Sequence, residues 1–500
     1  MKRFALVALW IFAYSATYAQ TDEFRNAYDE FRRQAQAEYE DFRSEANKRY
    51  ADFMRQAWQY YNVLPAIEKP KREEMPPVVM PKDDRGKPLE DTPVPIDEVV
   101  APPPAPKPQP VPVAPIREQP QPAEQSVTFT FFGTECKVRF SDDERFTLSG
   151  CNNEAVAAAW ERMSGEAYNN TIRDCLELRI RMQLCDWAYL NLIAACVEAC
   201  LGKSNEARLL MAFIYCQSGY KMRLGMTNDI ICMLYASEHA IYGRSHFKID
   251  GEMFYVFGDT EGRMRICGAS FPKEQSLSLW ITGAQRFAYN GTEKRTLYAS
   301  TYEEMKVETS VNKNLIDFYD SYPSSEVGGN FMTRWAMYAN TEMEEAVQKS
   351  LYPVLKEKLR GRSELEAVER LLNFVQTAFI YEYDDKVWGE DRAFFAEETL
   401  YYPYCDCEDR SILFSRFVRD LLGLDVILVY YPGHLATAVC FNGEVKGDYI
   451  TLDGRRFTVC DPTYIGAPVG CTMPSMDNKA AKVILLNAEM PKKNYTFFCS

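Results

Sequence analysis

The sequence predicts an α+β protein, with helices and antiparallel strands in separate runs behind a long helix and a proline-rich linker. Three observations carry this expectation. From Asn153 to Tyr220 the apolar spacing is helical, with Leu190, Leu192, Ile193, Cys196 and Val197 on one face and Gly219 as a stop. Strand-like runs follow at Ile231 to Tyr235 and Phe254 to Phe257. Further on, Cys405-Asp406-Cys407-Glu408-Asp409-Arg410-Ser411 leads into a helix-like run, Ile412 to Leu422, and then into more strand-like runs. The 500 residues exceed what one core usually organises, so several domains are expected.

Taken in order, the chain opens like a secretory signal over residues 1–19. Lys2 and Arg3 give the charge, Phe4 to Ala13 the apolar stretch, and Thr17-Tyr18-Ala19 the small-residue cleavage site. Export to the periplasm or the extracellular space is the expectation, with no later run apolar enough to span a bilayer. Residues 20–62 are expected to form an amphipathic helix with an 11-residue repeat. Phe24, Ala35, Ala46 and Ala57 recur at that interval, as do Tyr28, Tyr39, Tyr50 and Tyr61, and Phe31, Phe42 and Phe53. That period keeps one aromatic stripe on one face, so self-association or docking through residues 22–61 is expected. Residues 63–126 read as a linker, since the 58 residues from Pro65 to Pro122 hold 18 of the 27 prolines. Such a run lacks backbone donors and is expected to be extended and solvated. An α+β domain is expected over 127–345, with strands at Val127 to Phe132 and Lys137 to Phe140 around Gly133, and a second domain over 346–500.

The chemistry-bearing residues are Cys407, His434 and Asp461. They arrive in that order, 27 residues apart at each step, each at the edge of a predicted element. Asp406 is a good helix N-cap, which places Cys407 in the first turn, where amides and the helix dipole stabilise a thiolate. His434 follows Pro432-Gly433 and Asp461 ends the run Thr458-Val459-Cys460. A thiol nucleophile, its base and an orienting carboxylate would be set out this way. The Cys407 amide is the natural oxyanion donor, with Gln376 and Tyr404 as candidates for a second. The plainer alternative is a packed Cys and an unrelated His. The 15 cysteines and three histidines do not make a zinc pattern, since Cys405 and Cys407 sit too close together, so neither metal nor cofactor is expected. A net charge of −14 argues against a nucleic-acid partner.

Asp-Cys-Glu-Asp-Arg-Ser at 406–411, Gly-His at 433–434 and Val-Cys-Asp-Pro-Thr-Tyr at 459–464 resemble the transglutaminase-like cysteine superfamily. The resemblance covers about residues 360–475. It implies a papain-like fold, a helix bearing the nucleophile packed on an antiparallel sheet that carries His and Asp. It also implies Cys407 as nucleophile, His434 as base and Asp461 as orienting acid. The sequence departs from many members in placing the apolar Leu435-Ala436 after His434, where a Trp is common.

A degenerate second copy is a further expectation. Ser204-Asn205-Glu206-Ala207-Arg208 matches 406–410 in its Glu and Arg, and Asp250-Gly251 through Val256 matches Asp453-Gly454 through Val459. In that register Asn205 replaces Cys407, Gly258 replaces Asp461, and the place of His434 falls at Ile231 or Cys232, unless a shortened loop brings His239 there. The leading functional expectation is a secreted thiol enzyme acting on peptide or protein amide bonds through an acyl-enzyme, by hydrolysis or by amine transfer. The alternative is a non-enzymatic envelope-associated binding or assembly protein.

Overall fold

Two Asp-Gly pairs set the geometry of the two main sheets. Asp250 and Gly251 have φ of 50° and 86°, and Asp453 and Gly454 have 47° and 76°, the left-handed pair that a two-residue hairpin turn requires. Each closes a tight hairpin, His246–Ile249 with Glu252–Val256 and Asp448–Leu452 with Arg455–Cys460. The computed structural model describes residues 39, 41–56, 58–71, 75–101, 109–120, 125–258, 262–281, 283–476 and 480–486. Over these the protein is mixed α+β with antiparallel sheets.

The two sheets repeat one plan. In the first, the helix Asn205–Gln217 precedes strands Met222–Thr227, Ile230–Ala236, His246–Ile249, Glu252–Val256 and Arg263–Ile266. In the second, the helix Cys407–Leu422 precedes Asp425–Tyr431, His434–Cys440, Asp448–Leu452, Arg455–Cys460 and Ala481–Leu485. Counted after its helix, each set lies in the spatial order third, fourth, second, first, fifth, with every pairing antiparallel. Register agrees as well. Tyr431 faces His434 as Thr227 faces Ile230, and Cys460 faces Thr437 where the Phe257 amide donates to the Met233 carbonyl. The two stretches of chain also share a core. One apolar cluster holds Trp160, Phe213 and Tyr235 together with Cys407, Ile412, Leu428 and Leu435.

The N-terminal third departs from the sequence expectation in two places. The helix over 41–54 ends well before residue 62, because Gln59–Asn62 instead adds an edge strand to Arg263–Ile266. Tyr60 and Tyr61 are good strand formers, and pairing with a sheet edge outweighs continuing the helix. The helix docks on the body of the protein, but not by its whole aromatic stripe. Tyr50 is buried against Trp160 at 5.0 Å between ring centroids, while Phe42 and Phe53 are exposed. Its buried polar residues tie it down. Arg43 donates to Gln217 and Asn169, and Asn47 accepts from Trp160 Nε1 and Gln217 Nε2. The expected signal segment 1–19 and helical positions 20–38 lie outside the described residues.

The linker is the second correction. Thr92–Pro93 and Ile96–Val100 are parallel edge strands of the second sheet, beside Asp448–Leu452 and Ala481–Leu485. Proline is tolerated at a sheet edge, where its missing donor faces away from the ladder. Other linker residues are anchored too. Ala114 and Ile116 are buried, and the Pro110 carbonyl accepts from Arg179.

Candidate active site

The Cys407 helix begins where the sequence places it. Asp406 Oδ1 accepts the Glu408 amide at 3.1 Å, and Asp409 Oδ2 accepts the Asp406 amide at 3.1 Å, a reciprocal capping box. Asp409 Oδ1 also accepts the Phe394 amide at 2.8 Å, which fixes the preceding loop to the same turn. One turn on, Ser411 Oγ donates to the Leu435 carbonyl at 2.8 Å. That bond sets the face bearing Cys407 against the start of the strand bearing His434. Cys407 is 1 %, His434 1 % and Asp461 2 % exposed, so the group sits wholly beneath the surface.

His434 Nε2 lies 2.8 Å from Asp461 Oδ2, and Cys407 is near enough to the same ring to bear on its charge. Asp461 Oδ1 meanwhile accepts the Thr463 amide at 2.8 Å and the Tyr464 amide at 3.2 Å. A carboxylate held by three donors is fixed in place beside the ring. Burial pushes His434 down, but Asp461 and then Cys407 outweigh it and raise the imidazole to about 10. His434 Nδ1 is buried and makes no hydrogen bond, so the expected bond from a ring nitrogen to Cys407 is not formed in this structure. With Nε2 committed to Asp461, Nδ1 is the nitrogen left for the thiol.

The two candidate second oxyanion donors fare differently from that expectation. Gln376 is 1 % exposed, and its Nε2 donates to the carbonyls of Asp461, Tyr464 and Ala467 at 3.0, 2.8 and 3.1 Å. Its Oε1 accepts the Gly466 amide at 3.1 Å. Gln376 therefore shapes the loop that carries Asp461 and has no hydrogen left for an oxyanion. Tyr404 is partly exposed, on a short strand Tyr404–Cys405 that pairs in parallel with Ile380–Tyr381. Cys405 is buried and touches Arg410 Nε through sulfur at 3.5 Å. Burial raises its thiol pKa, with Arg410 acting against that.

Sequence reasoning missed the charges behind Cys407. Arg334, 2 % exposed, places Nη1 2.5 Å from Asp391 and Nη2 3.8 Å from Glu408, the residue after Cys407. The carboxylates of Asp384, Asp391 and Glu408 lie within 4.8 Å of one another, as do the ligand atoms of Asp406, Cys407 and Glu408. These are the described residues with a geometry that could gather round a cation, and the Arg334 guanidinium already brings positive charge to two of them. Nothing local in the sequence marks Arg334, because its partners lie 57 and 74 residues away.

The first repeat has none of this chemistry. By sheet register the place of His434 is Ile230, one residue before the expected pair Ile231 and Cys232, and Gly258 follows where Asp461 would be. Asn205 at the Cys407 position donates from Nδ2 to the Asp229 carbonyl at 2.8 Å and accepts the Ile231 amide at 3.1 Å. It pins the helix to the hairpin. His239 does not reach the place. It starts a separate strand, His239–Ile241, paired with Ser325–Val327, with Nε2 accepting the Leu279 amide at 3.2 Å. No protein-family model, curated protein or solved structure matches the chain.

Proposed function

We propose that the chain is a thiol enzyme of transglutaminase-like type, exported from the cell, that acts on peptide or protein amide bonds through an acyl-enzyme. The single observation that supports this most is the His434–Asp461 pair at 2.8 Å beside the start of the Cys407 helix, which Ser411 ties to the Leu435 carbonyl. A helix start carrying a thiol, a sheet carrying the imidazole and its carboxylate, and the 406–411, 433–434 and 459–464 motifs all support the papain-like reading of this half.

In this reading the Cys407 thiolate attacks the amide carbonyl carbon. The Cys407 amide stabilises the oxyanion, since the Glu408 amide is committed to Asp406. The C–N bond breaks as His434 gives its proton to the leaving nitrogen, and a thioester forms. Water or an amine then attacks the thioester, His434 takes its proton, and the C–S bond breaks to restore the thiolate–imidazolium pair. Asp461 holds the ring by Nε2 throughout, so that Nδ1 faces the sulfur. The first repeat is a duplicate of the second that kept the sheet and lost the nucleophile, base and acid. Common strand order, common register and the two left-handed Asp-Gly turns support that descent.

The experiment is turnover of a peptide-amide library with water or hydroxylamine as acceptor. Cys407→Ala is expected to abolish both products with the circular dichroism spectrum unchanged, since one small buried side chain leaves little cavity. Turnover that survives Cys407→Ala would end the thiol-enzyme reading.

A further inference from the structure

The helical hairpin that precedes the first repeat brings two thiols together away from the Cys407 site. Helix Asn169–Arg181 turns through residues 182–185 into helix Asp186–Leu201, and the Leu184 amide donates to the Arg179 carbonyl at 2.9 Å to close the first helix. Cys175 on the first helix and Cys196 on the second meet in the core. Their Sγ atoms are 3.9 Å apart, and both residues are 0 % exposed. Both are free thiols in this structure. Helix Asp186–Leu201 in turn packs on Asn205–Gln217, the helix that opens the first repeat.

A disulfide needs its sulfurs at about 2.0 Å. Sulfurs already in contact across two helices close the remaining gap of about 2 Å by side-chain rotation and a small shift of one helix. The contact at the end of the same hairpin is chemically different, since Cys136 Sγ meets the Met182 thioether at 3.9 Å and no disulfide can form there. In the finished core exchange at the thiol pair is slow. Contacts with Cys175 and Cys200, together with burial, push the Cys196 thiol well above its usual range, and the thiolate is the reacting form. The bond is therefore made while the hairpin is still open, when closure of a short loop between the two helices is fast.

We propose that Cys175 and Cys196 are a modification site, a disulfide formed during folding that staples the two helices behind the first repeat. The oxidant is a second disulfide, either small, such as oxidised glutathione, or borne by an enzyme. One of the two thiolates attacks a sulfur of that disulfide and expels a thiolate. The other then attacks the protein sulfur of the mixed disulfide and expels the second thiolate. The protein loses two protons and two electrons, and the oxidant is reduced to two thiols. An exported chain folds where such oxidants persist, which is the part of the proposed reading on which this rests.

The test is oxidative refolding of the full chain. The protein is unfolded with reductant, refolded in a mixture of oxidised and reduced glutathione, quenched in acid, alkylated with iodoacetamide and digested without reduction. The expected product is peptide 174–179, which carries Cys175, linked to peptide 182–203, which carries Cys185, Cys196 and Cys200. The link should persist in Cys185→Ala and Cys200→Ala and disappear in Cys196→Ala. The oxidised chain should also melt about 5–10 °C above the same chain refolded with reduced glutathione alone, a comparison that needs no variant to fold. Absence of the linked peptide would overturn the proposal, as would a link that survives Cys196→Ala. A linked peptide with an unraised melting point would overturn the staple too. The refolding supplies its own oxidant, so failure here strikes the thiol pair and leaves the exported thiol-enzyme reading standing.

Discussion

Asp461→Asn removes one negative charge and leaves the shape of the site intact. His434 is raised from about 6.5 to about 10 chiefly by Asp461, acting against burial. A folded pKa above the unfolded one stabilises the fold fully below about 6.5, and that stabilisation is lost as pH rises through about 10. At pH 7 the linkage amounts to about 4 kcal/mol, and by pH 10 to less than about 1 kcal/mol. The amide oxygen of Asn can still accept a hydrogen bond from the neutral ring, so the pH-dependent part is what the substitution removes. Urea unfolding at pH 7 and pH 10 measures it, with m-values required to agree between the two proteins. The variant should be less stable by up to about 4 kcal/mol at pH 7, with the gap closing by pH 10. A gap of the same size at both pH values would refute the ion pair and point to a packing role for Asp461.

Three other outcomes follow from the same geometry. Gln376→Leu leaves three carbonyls of the Asp461 loop without their donor and should cost roughly 1–3 kcal/mol of stability. It should also lower kcat in the turnover assay, and unchanged kcat would mean that the loop holds Asp461 without help. Glu397 and Glu398 are buried and raised by that burial to about 7, so the stability they contribute is present below about 4.5 and falls as pH rises to about 7. Glu397→Gln should flatten part of that slope, on the order of 1–3 kcal/mol, and an unchanged slope between pH 4.5 and 7 would show the carboxyl to be ionised in the fold. In the intact protein Cys405 should alkylate more slowly than Cys407, because burial raises its thiol and its sulfur meets Arg410 and no imidazole, and equal rates would count against a special Cys407.

The candidate site was legible because each of its parts announces itself locally. Asp406 with Asp409 marks a helix start, Pro432-Gly433 a hairpin, and Cys460-Asp461 the end of a strand. The repeat was legible for the same reason, since Asp250-Gly251 and Asp453-Gly454 demand left-handed backbone wherever they occur. The register of the first copy was off by one residue in the strand after its helix, because sequence offsets do not reveal how far a hairpin slips. What stayed hidden depends on distant partners. Gln376 looked like a donor for chemistry, but its amide meets carbonyls 85 to 91 residues away. Arg334 meets Asp391 and Glu408 only after two elements pack. The proline density of residues 63–126 hid two edge strands, Thr92–Pro93 and Ile96–Val100, whose register comes from the sheet they join. The 11-residue ladder hid a break near residue 55 for the same reason.

The central claim is that Cys407 faces a cationic imidazole held by Asp461, and the chain has only three histidines with which to test it. Histidine-labelled NMR across a pH titration reads all three rings in the intact protein, whether or not the site is open to reagents. Burial lowers His239 to about 4 and lowers His246 as well, so neither should carry a second proton at pH 8. His434 should remain doubly protonated there and titrate near 10. That signal should vanish in Asp461→Asn and shift in Cys407→Ala. Three neutral rings at pH 8 would contradict the account, and the retained fold would then be read as a scaffold without thiol chemistry.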